Sequence, residues 1–357
     1  MIKAGEDMHE KELLKNLCTA HGPSGREHWI YPIIKDAFEP LCNEVRQGNL
    51  NNVYGIKKGN GKASIMLMAH ADEIFMLVDK ICDNGFLKFT TVGIDPKTLV
   101  SQEVLIHGKD GKEKVHGIIG IKPPHLMNEA DRSGAVKVED LLIDTGRSKE
   151  ELEKLVNIGD FVTLKRDFYE LLNNNVVCKA TDDRASIVAM YSCAQELQNI
   201  NHDLDVYFVC SCQEEVGHRG AKMASYDLNP TLGIAIDVTF DSGKMGIPEK
   251  ETYLGKGPVI CVGPNVHPKF RKKLLEVAEE YGIPYQIEVE PGNTGTDAWD
   301  IQIVRSGIPT LLISIPQKYM HTTVEMVNME DIKNTGRIIA KFIEKISAEE
   351  LEELLCF

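Results

Sequence analysis

Two histidines and a set of carboxylates stand where apolar runs of the chain give way to polar ones. They are His70 and Asp72 in MAHADE, Asp182 and Asp183 in ATDDR, Glu214 and Glu215 in CQEEVG, Asp237 in AIDV, and His321 in KYMHTT. Imidazole and carboxylate together hold divalent cations, and the mixture suits zinc or cobalt better than magnesium. Carboxylates gathered in a low-dielectric crevice repel one another unless a cation neutralises them. Two histidines and three carboxylates exceed the ligand set of one four-coordinate zinc. Two metals roughly 3.5–4 Å apart, sharing one carboxylate, use all five. Each residue alone has an ordinary reading: a hydrogen-bonded histidine, a solvated pair of acids at Glu214-Glu215, a helix cap at Asp182-Asp183, a turn at Asp237. Their joint placement carries the metal reading.

That placement comes from the elements around them. Ala63–Ala69 (ASIMLMA), Asp205–Ser211 (DVYFVCS), Leu232–Ile236 (LGIAI) and Pro309–Ile315 (PTLLISI) are near-continuous apolar runs, as expected of strands buried on both faces. Helical periods alternate with them. Leu13, Leu14 and Leu17 share a face before Gly22-Pro23 stop the segment, and Ile30, Ile33, Ile34 and Phe38 share another. A third helix from Arg184 sets Ile187, Tyr191 and Ala194 on one face. A fourth from Phe270 carries Leu274, Val277, Ala278 and Tyr281 and stops at Gly282. The expected fold is α/β, a mostly parallel sheet flanked by helices on both faces. Ligands of such a sheet bind at the carboxyl ends of its strands. His70, Asp72, Glu214, Glu215, Asp237 and His321 all fall there, with Asp182 and Asp183 just before a helix.

Between residues 74 and 166 the texture changes. Turn signals such as Asp83-Asn84-Gly85 and Gly108-Lys109-Asp110-Gly111 separate short alternating segments, among them Lys114–Ile121 and Phe161–Leu164. One helix interrupts, opened by the capping box Ser148-Lys149-Glu150-Glu151. The pattern predicts a small β-rich domain, 74–166, inserted into a discontinuous catalytic domain of 1–73 and 167–357. His107, His116 and His125 lie inside it among lysines, prolines and turn residues and read as structural or surface histidines.

Composition limits the partners. The formal net charge of −14 argues against nucleic acid, which needs a basic face. No apolar run approaches the roughly 20 residues that span a bilayer, and MIKAGEDMHEKELLKN has no apolar core of a secretory signal. Nine scattered cysteines do not form the framework of a small secreted domain. A cytoplasmic enzyme is expected. Cys210 and Cys212 point the same way from one strand and read as small buried hydrophobes.

The motifs and their order resemble the tetrahedral, or deblocking and glutamyl, aminopeptidases, some members of which carry the label cellulase or endoglucanase. The resemblance covers almost the whole chain: HGPSGRE, HADE, DNGF, VHGIIGIKPPH, ATDDR, QEEVGHRGA, LGKGP, GTDA and HTTVE. It implies one metal on His70, Asp182 and Asp237, and a second on Asp182, Glu215 and His321, with Asp182 shared. It assigns the general base to Glu214 and the orientation of His70 to Asp72, and it implies a cis peptide at Asp182-Asp183. The order of the two glutamates rests on the resemblance, not on spacing. It further implies short peptides as substrates and homo-oligomers in which the inserted domain pairs subunits toward a dodecamer. The chain departs from the family pattern at Phe75, at Trp299 and at Thr322-Thr323. None is a ligand or the base, and bulky groups near the cleft would narrow it. Two other readings use the same residues: a glycoside hydrolase, and a binding or scaffold protein with a vestigial metal site.

Overall fold

The computed structural model describes residues 6–60, 62–126, 134–243 and 251–355. The chain forms two compact units. One runs up to Asp72 and resumes over Phe168–Met320 and from Glu325 onward; the other holds Glu73–Asp167 and His321–Val324.

The first unit begins with helices Glu6–Thr19 and Tyr31–Phe38, followed by strands β1 (Glu44–Gln47), β2 (Val53–Lys57) and β3 (Ser64–His70). The chain then builds the second unit from β4 (Phe75–Ile81), β5 (Leu87–Val92), β6 (Glu103–His107), β7 (Glu113–Ile121), β8 (Leu141–Asp144) and β9 (Phe161–Leu164). It returns through β10 (Tyr169–Glu170), β11 (Asn175–Cys178), β12 (Asp205–Ser211), β13 (Leu232–Phe240), β14 (Val259–Val262), β15 (Gln286–Val289), β16 (Thr310–Gln317) and β17 (Glu325–Asn328).

Eight strands form the main sheet of the first unit in the order β1-β2-β12-β3-β13-β16-β14-β15. Its centre, β12-β3-β13-β16, is parallel throughout. Antiparallel pairs join β2 to β12 on one side and β14 to β16 on the other. β3 and β13 are buried along nearly their whole length, which requires cover on both faces and explains their unbroken apolar sequences. β13 differs from expectation in length. Its apolar run ends at Ile236, yet pairing with β16 continues through Asp237↔Ser314 to Phe240↔Gln317. Asp237 therefore lies inside a strand, because the backbone ladder carries it past the end of the apolar stretch.

The helix expected from Arg184 spans Thr181–Glu196 and is not half-exposed. Every residue from Thr181 to Ala194 is buried. It is a central helix, packed against helices Glu6–Thr19 and Met329–Lys345 and against β3 and β13. The Arg184 guanidinium, fully buried, donates to the carbonyls of Leu17 at 2.6 Å and Ala20 at 2.9 Å. Buried charge is tolerated here because its N–H groups are satisfied. Where Met329–Lys345 crosses the central helix, Gly336 leaves no room for a side chain. A Cβ there would stand 2.5 Å from the Ala189 carbonyl oxygen and 2.7 Å from Ser192 Cβ. Gly336→Ala should therefore destabilise the protein by about 1–3 kcal/mol despite its better helix propensity. Denaturant titration checks this, and a stabilised variant would show that the two helices move apart freely.

In the second unit, β4-β5-β8-β7-β6-β9 close into a barrel. Val115, Ile119 and Gly117 of β7 face inward while the residues between them are exposed. Lys109 and Asp110 both adopt left-handed conformations in the tight turn between β6 and β7, and their N–H groups donate to Asp160 at 2.9 and 3.3 Å. The capping box forms in both directions between Ser148 and Glu151 at the start of helix Lys149–Leu155. His107 is buried and bonded to Thr163 Oγ1 at 2.7 Å, while His116 and His125 are exposed. Among the described residues, no helix is long and apolar enough to cross a membrane.

Candidate metal centre

The parallel register sets His70, the last residue of β3, beside Ser211, the last residue of β12. The loop after Ser211 turns back sharply. Gln213 and His218 both take left-handed conformations, and the N–H groups of Gly217 and His218 donate to the Glu214 carbonyl at 2.8 and 3.0 Å. This folds Glu214 over the carboxyl ends of β3 and β12. On the other side, Ala180 is left-handed and the Asp182-Asp183 peptide is cis, as the resemblance implies. Asp183 Oδ2 accepts from the backbone N–H of His70 at 3.1 Å.

Within the first unit these elements bring together His70, Asp182 and Asp237, all buried, with potential ligand atoms within 4.8 Å of one another. His70, Glu214 and Glu215 form a second set by the same measure. His70 Nε2 lies 3.1 Å from Asp182 Oδ1 and 3.8 Å from Glu214 Oε2. Its Nδ1 faces the Asp72 carbonyl oxygen at 3.2 Å, with Asp72 Oδ1 slightly farther at 3.6 Å. The Asp72 carboxylate makes its tighter bonds elsewhere. It accepts from Ser24 Oγ at 2.6 Å, from the Glu214 N–H at 3.0 Å and from the Glu215 N–H at 3.2 Å. Asp72 thus anchors the backbone of both glutamates as well as flanking His70.

The electrostatics are those of a site built for positive charge. Asp182, Asp183, Glu214 and Asp237 are each no more than 8 % exposed. Burial pushes the Asp237 carboxyl well up and Glu214 and Asp182 push it further, while His70 and a hydrogen bond from the Val238 N–H at 2.7 Å oppose them. Asp183 is raised in the same way, by burial and by the Asp237 charge. Burial works against charge on His70, yet its bonds to Asp182 and Asp72 and the nearby Glu214 raise its imidazole well above the usual range. Carboxylates crowded around one imidazole are a donor set that divalent cations fit.

His321 follows Met320 of the first unit by one residue. It is exposed and left-handed and falls in the four-residue stretch that groups with the second unit. Of the residues that depart from the family pattern, Phe75 is a buried barrel residue whose ring packs against Phe161 at 5.2 Å. Trp299 is half-buried in the single helical turn Ala298–Ile301. Thr322 Oγ1 donates to the Val324 carbonyl at 2.6 Å, which ties off its own loop.

Several supporting residues were not singled out from the sequence. Glu325 Oε2 accepts from the Asp182 N–H at 3.1 Å and from Thr181 Oγ1 at 3.3 Å, fixing the start of the central helix. Asp297 is buried and accepts from Ser211 Oγ at 2.5 Å; burial, reinforced by Glu214, pushes its carboxyl up to about 7. Both lie in recognisable motifs, HTTVE and GTDA, but their partners are more than 80 residues away in sequence. His218 lies in the motif QEEVGHRGA and Asp300 two residues beyond GTDA, and nothing in their spacing announced that they bond to each other at 3.0 Å.

Comparison with known proteins agrees with this chemistry. Residues 51–338 match the M42 glutamyl aminopeptidase family. The chain is 38 % identical over 349 residues to a lysyl aminopeptidase of Pyrococcus furiosus, covering 95 % of this chain and 98 % of that one. An aminopeptidase structure from the archaeon Desulfurococcus kamchatkensis superposes with a TM-score of 0.90 at 35 % identity, over 99 % of each chain. The Pyrococcus horikoshii TET1 peptidase, which can assemble into a tetrahedron or a large octahedral shell, matches with a TM-score of 0.83 at 31 % identity, over 94 % of this chain and all of that one. The chain belongs to the M42 glutamyl aminopeptidase family and is a metallo-aminopeptidase.

Proposed function

We propose that the enzyme releases N-terminal amino acids from short peptides with two divalent cations, zinc or cobalt, and a glutamate base. His70, Asp182 and Asp237 would hold one cation, and Asp182, Glu215 and His321 the other. The observation that carries this reading is the buried crowd of carboxylates around His70, too dense in negative charge to stand without cations. When bound, the cations supply Lewis acidity to the attacking water and to the scissile carbonyl. Glu214 takes the proton from that water and returns it to the departing amine. Asp72 holds the Glu214 and Glu215 backbone and flanks His70, so that base and ligands keep a fixed relation. A glycosidase would place two carboxylates on opposite sides of a sugar bond, roughly 5 Å or more apart, with no part for an imidazole between them. Here acids and imidazole converge on common points.

The direct test is hydrolysis of a panel of lysyl, glutamyl and leucyl p-nitroanilides beside their N-acetylated forms. Turnover of the free amines alone is expected. Equal cleavage of the blocked substrates, or activity only on β-glucan, would reject the proposal.

We further propose that the barrel unit pairs subunits into a closed dodecameric shell, as symmetric homo-oligomers commonly close and as the Pyrococcus horikoshii TET1 peptidase can assemble into a tetrahedron. Light scattering should give a species many times the mass of one chain, and a strict monomer at micromolar concentration would contradict it. A reducing, cytoplasmic setting agrees with the eight described cysteines, all free thiols.

A further inference from the structure

The loop between β12 and helix Arg219–Leu228 carries a histidine that grips Glu214 twice. The His218 backbone N–H donates to the Glu214 carbonyl at 3.0 Å, and its ring Nε2 lies 3.0 Å from Glu214 Oε1. The other ring nitrogen, Nδ1, lies 3.0 Å from Asp300 Oδ2. Asp300 is buried and also receives Lys222 Nζ at 3.3 Å, one helical turn beyond His218. The four side chains alternate in charge, Glu214, His218, Asp300, Lys222, and lead away from the metal centre.

The geometry points to His218 as a positioning residue for Glu214, held in place by Asp300. This inference rests on the reading of Glu214 as the base. A glutamate has three rotatable side-chain bonds and loses freedom when fixed in one pose, yet a base must sit within about 2.6–3.2 Å of the proton that it takes. Ionised carboxylates only accept hydrogen bonds, so a ring set between two of them donates from both nitrogens. Oε1 is thereby occupied, and Oε2 is the oxygen left facing His70 at 3.8 Å. The left-handed backbone at His218 supports this arrangement, because it turns the chain so that one residue bonds both the carbonyl and the side chain of Glu214. Asp300 does for His218 what carboxylates commonly do for functional imidazoles, fixing the ring plane through the far nitrogen.

Four variants of the metal-loaded enzyme test this: His218→Leu, His218→Gln, Asp300→Asn and the double variant Glu214→Gln/His218→Leu. His218→Leu should lower kcat by about 10–100-fold, the size usual for loss of a supporting hydrogen bond, with KM within about twofold. Bound metal per chain should stay unchanged. His218→Gln keeps one donor toward Oε1 and should recover much of kcat, and Asp300→Asn should fall between. In the Glu214→Gln background, His218→Leu should cost no further activity, because the group that it positions is already disabled. A crystal structure of His218→Leu should show the Glu214 side chain in a new rotamer.

The proposal is overturned if His218→Leu leaves kcat within twofold, if it strips metal, or if Glu214 keeps its pose. It is also overturned if the loss is the same in both backgrounds, which would make His218 act independently of Glu214. Failure of the underlying reading looks different: Glu214→Gln alone would then retain full activity. If His218→Leu does not fold, His218→Gln and Asp300→Asn decide, and wild-type kcat in both would reject the role.

Discussion

Glu214→Gln should lower kcat by about 10²–10⁴-fold while bound metal stays at the wild-type level. The substitution preserves size and keeps an amide in the same loop, so the backbone bonds from Glu214 and Glu215 to Asp72 need not change. What disappears is a group able to take a proton. Glu215→Gln should give the opposite pattern, because an amide is a poor ligand for a divalent cation. Metal content should fall, and added metal should restore part of the activity. Measuring kcat and metal stoichiometry on both variants separates the two roles. If Glu214→Gln lost the metal and Glu215→Gln lost only turnover, the assignments of base and ligand would be exchanged. The two residues are adjacent and both face the site, so only this contrast distinguishes them.

Removal of divalent cations should abolish peptide hydrolysis altogether, and zinc or cobalt should restore it with two ions per chain. The proposed ligand count argues for two, because the five residues assigned above to the cations, His70, Asp182, Asp237, Glu215 and His321, would exceed the capacity of one tetrahedral site. Cations bound only by the folded state also stabilise it, by about 2.7 kcal/mol when free metal is a hundredfold above its dissociation constant. Chelation should therefore lower the thermal midpoint together with the activity. The effect should be strong, because stripping the metal leaves the buried carboxyls of Asp183 and Asp237 with His70 and a few hydrogen bonds to offset their charge. Metal analysis by mass spectrometry, with calorimetry of the stripped and reloaded protein, checks both parts. Fully active protein with one ion or none would refute the two-metal reading.

Much of the central sheet was legible in the chain. The four parallel strands at its centre are near-continuous apolar runs, and such runs have few other uses in a soluble fold. Asp205–Ser211 even begins and ends where its run does, and outside the central sheet the barrel strand Phe161–Leu164 likewise matches the alternating segment that predicted it. The end of β13 was not legible, because its last residues, Asp237 among them, are held by pairing with β16 rather than by their own hydrophobicity. The helix Thr181–Glu196 showed an apolar face, but its complete burial depends on two other helices and on Arg184 finding the carbonyls of Leu17 and Ala20. Local periodicity carries no trace of such distant partners.

The same division runs through the site. The sequence by itself determined the chemistry. Imidazole and carboxylate at the ends of apolar strands can serve few purposes other than holding cations, and the order of the motifs named the family. The tertiary structure decided which atoms meet. Asp72 looked like a simple partner for His70, yet its carboxylate spends its tightest bonds on Ser24 and the Glu214-Glu215 backbone. Asp297, Glu325, His218 and Asp300 joined the site only when folding brought together segments separated by tens of residues. The physical reason is one of range. Burial and backbone pairing follow from residue type over a few neighbours, whereas a hydrogen bond of 3 Å between distant side chains depends on the register of every element between them.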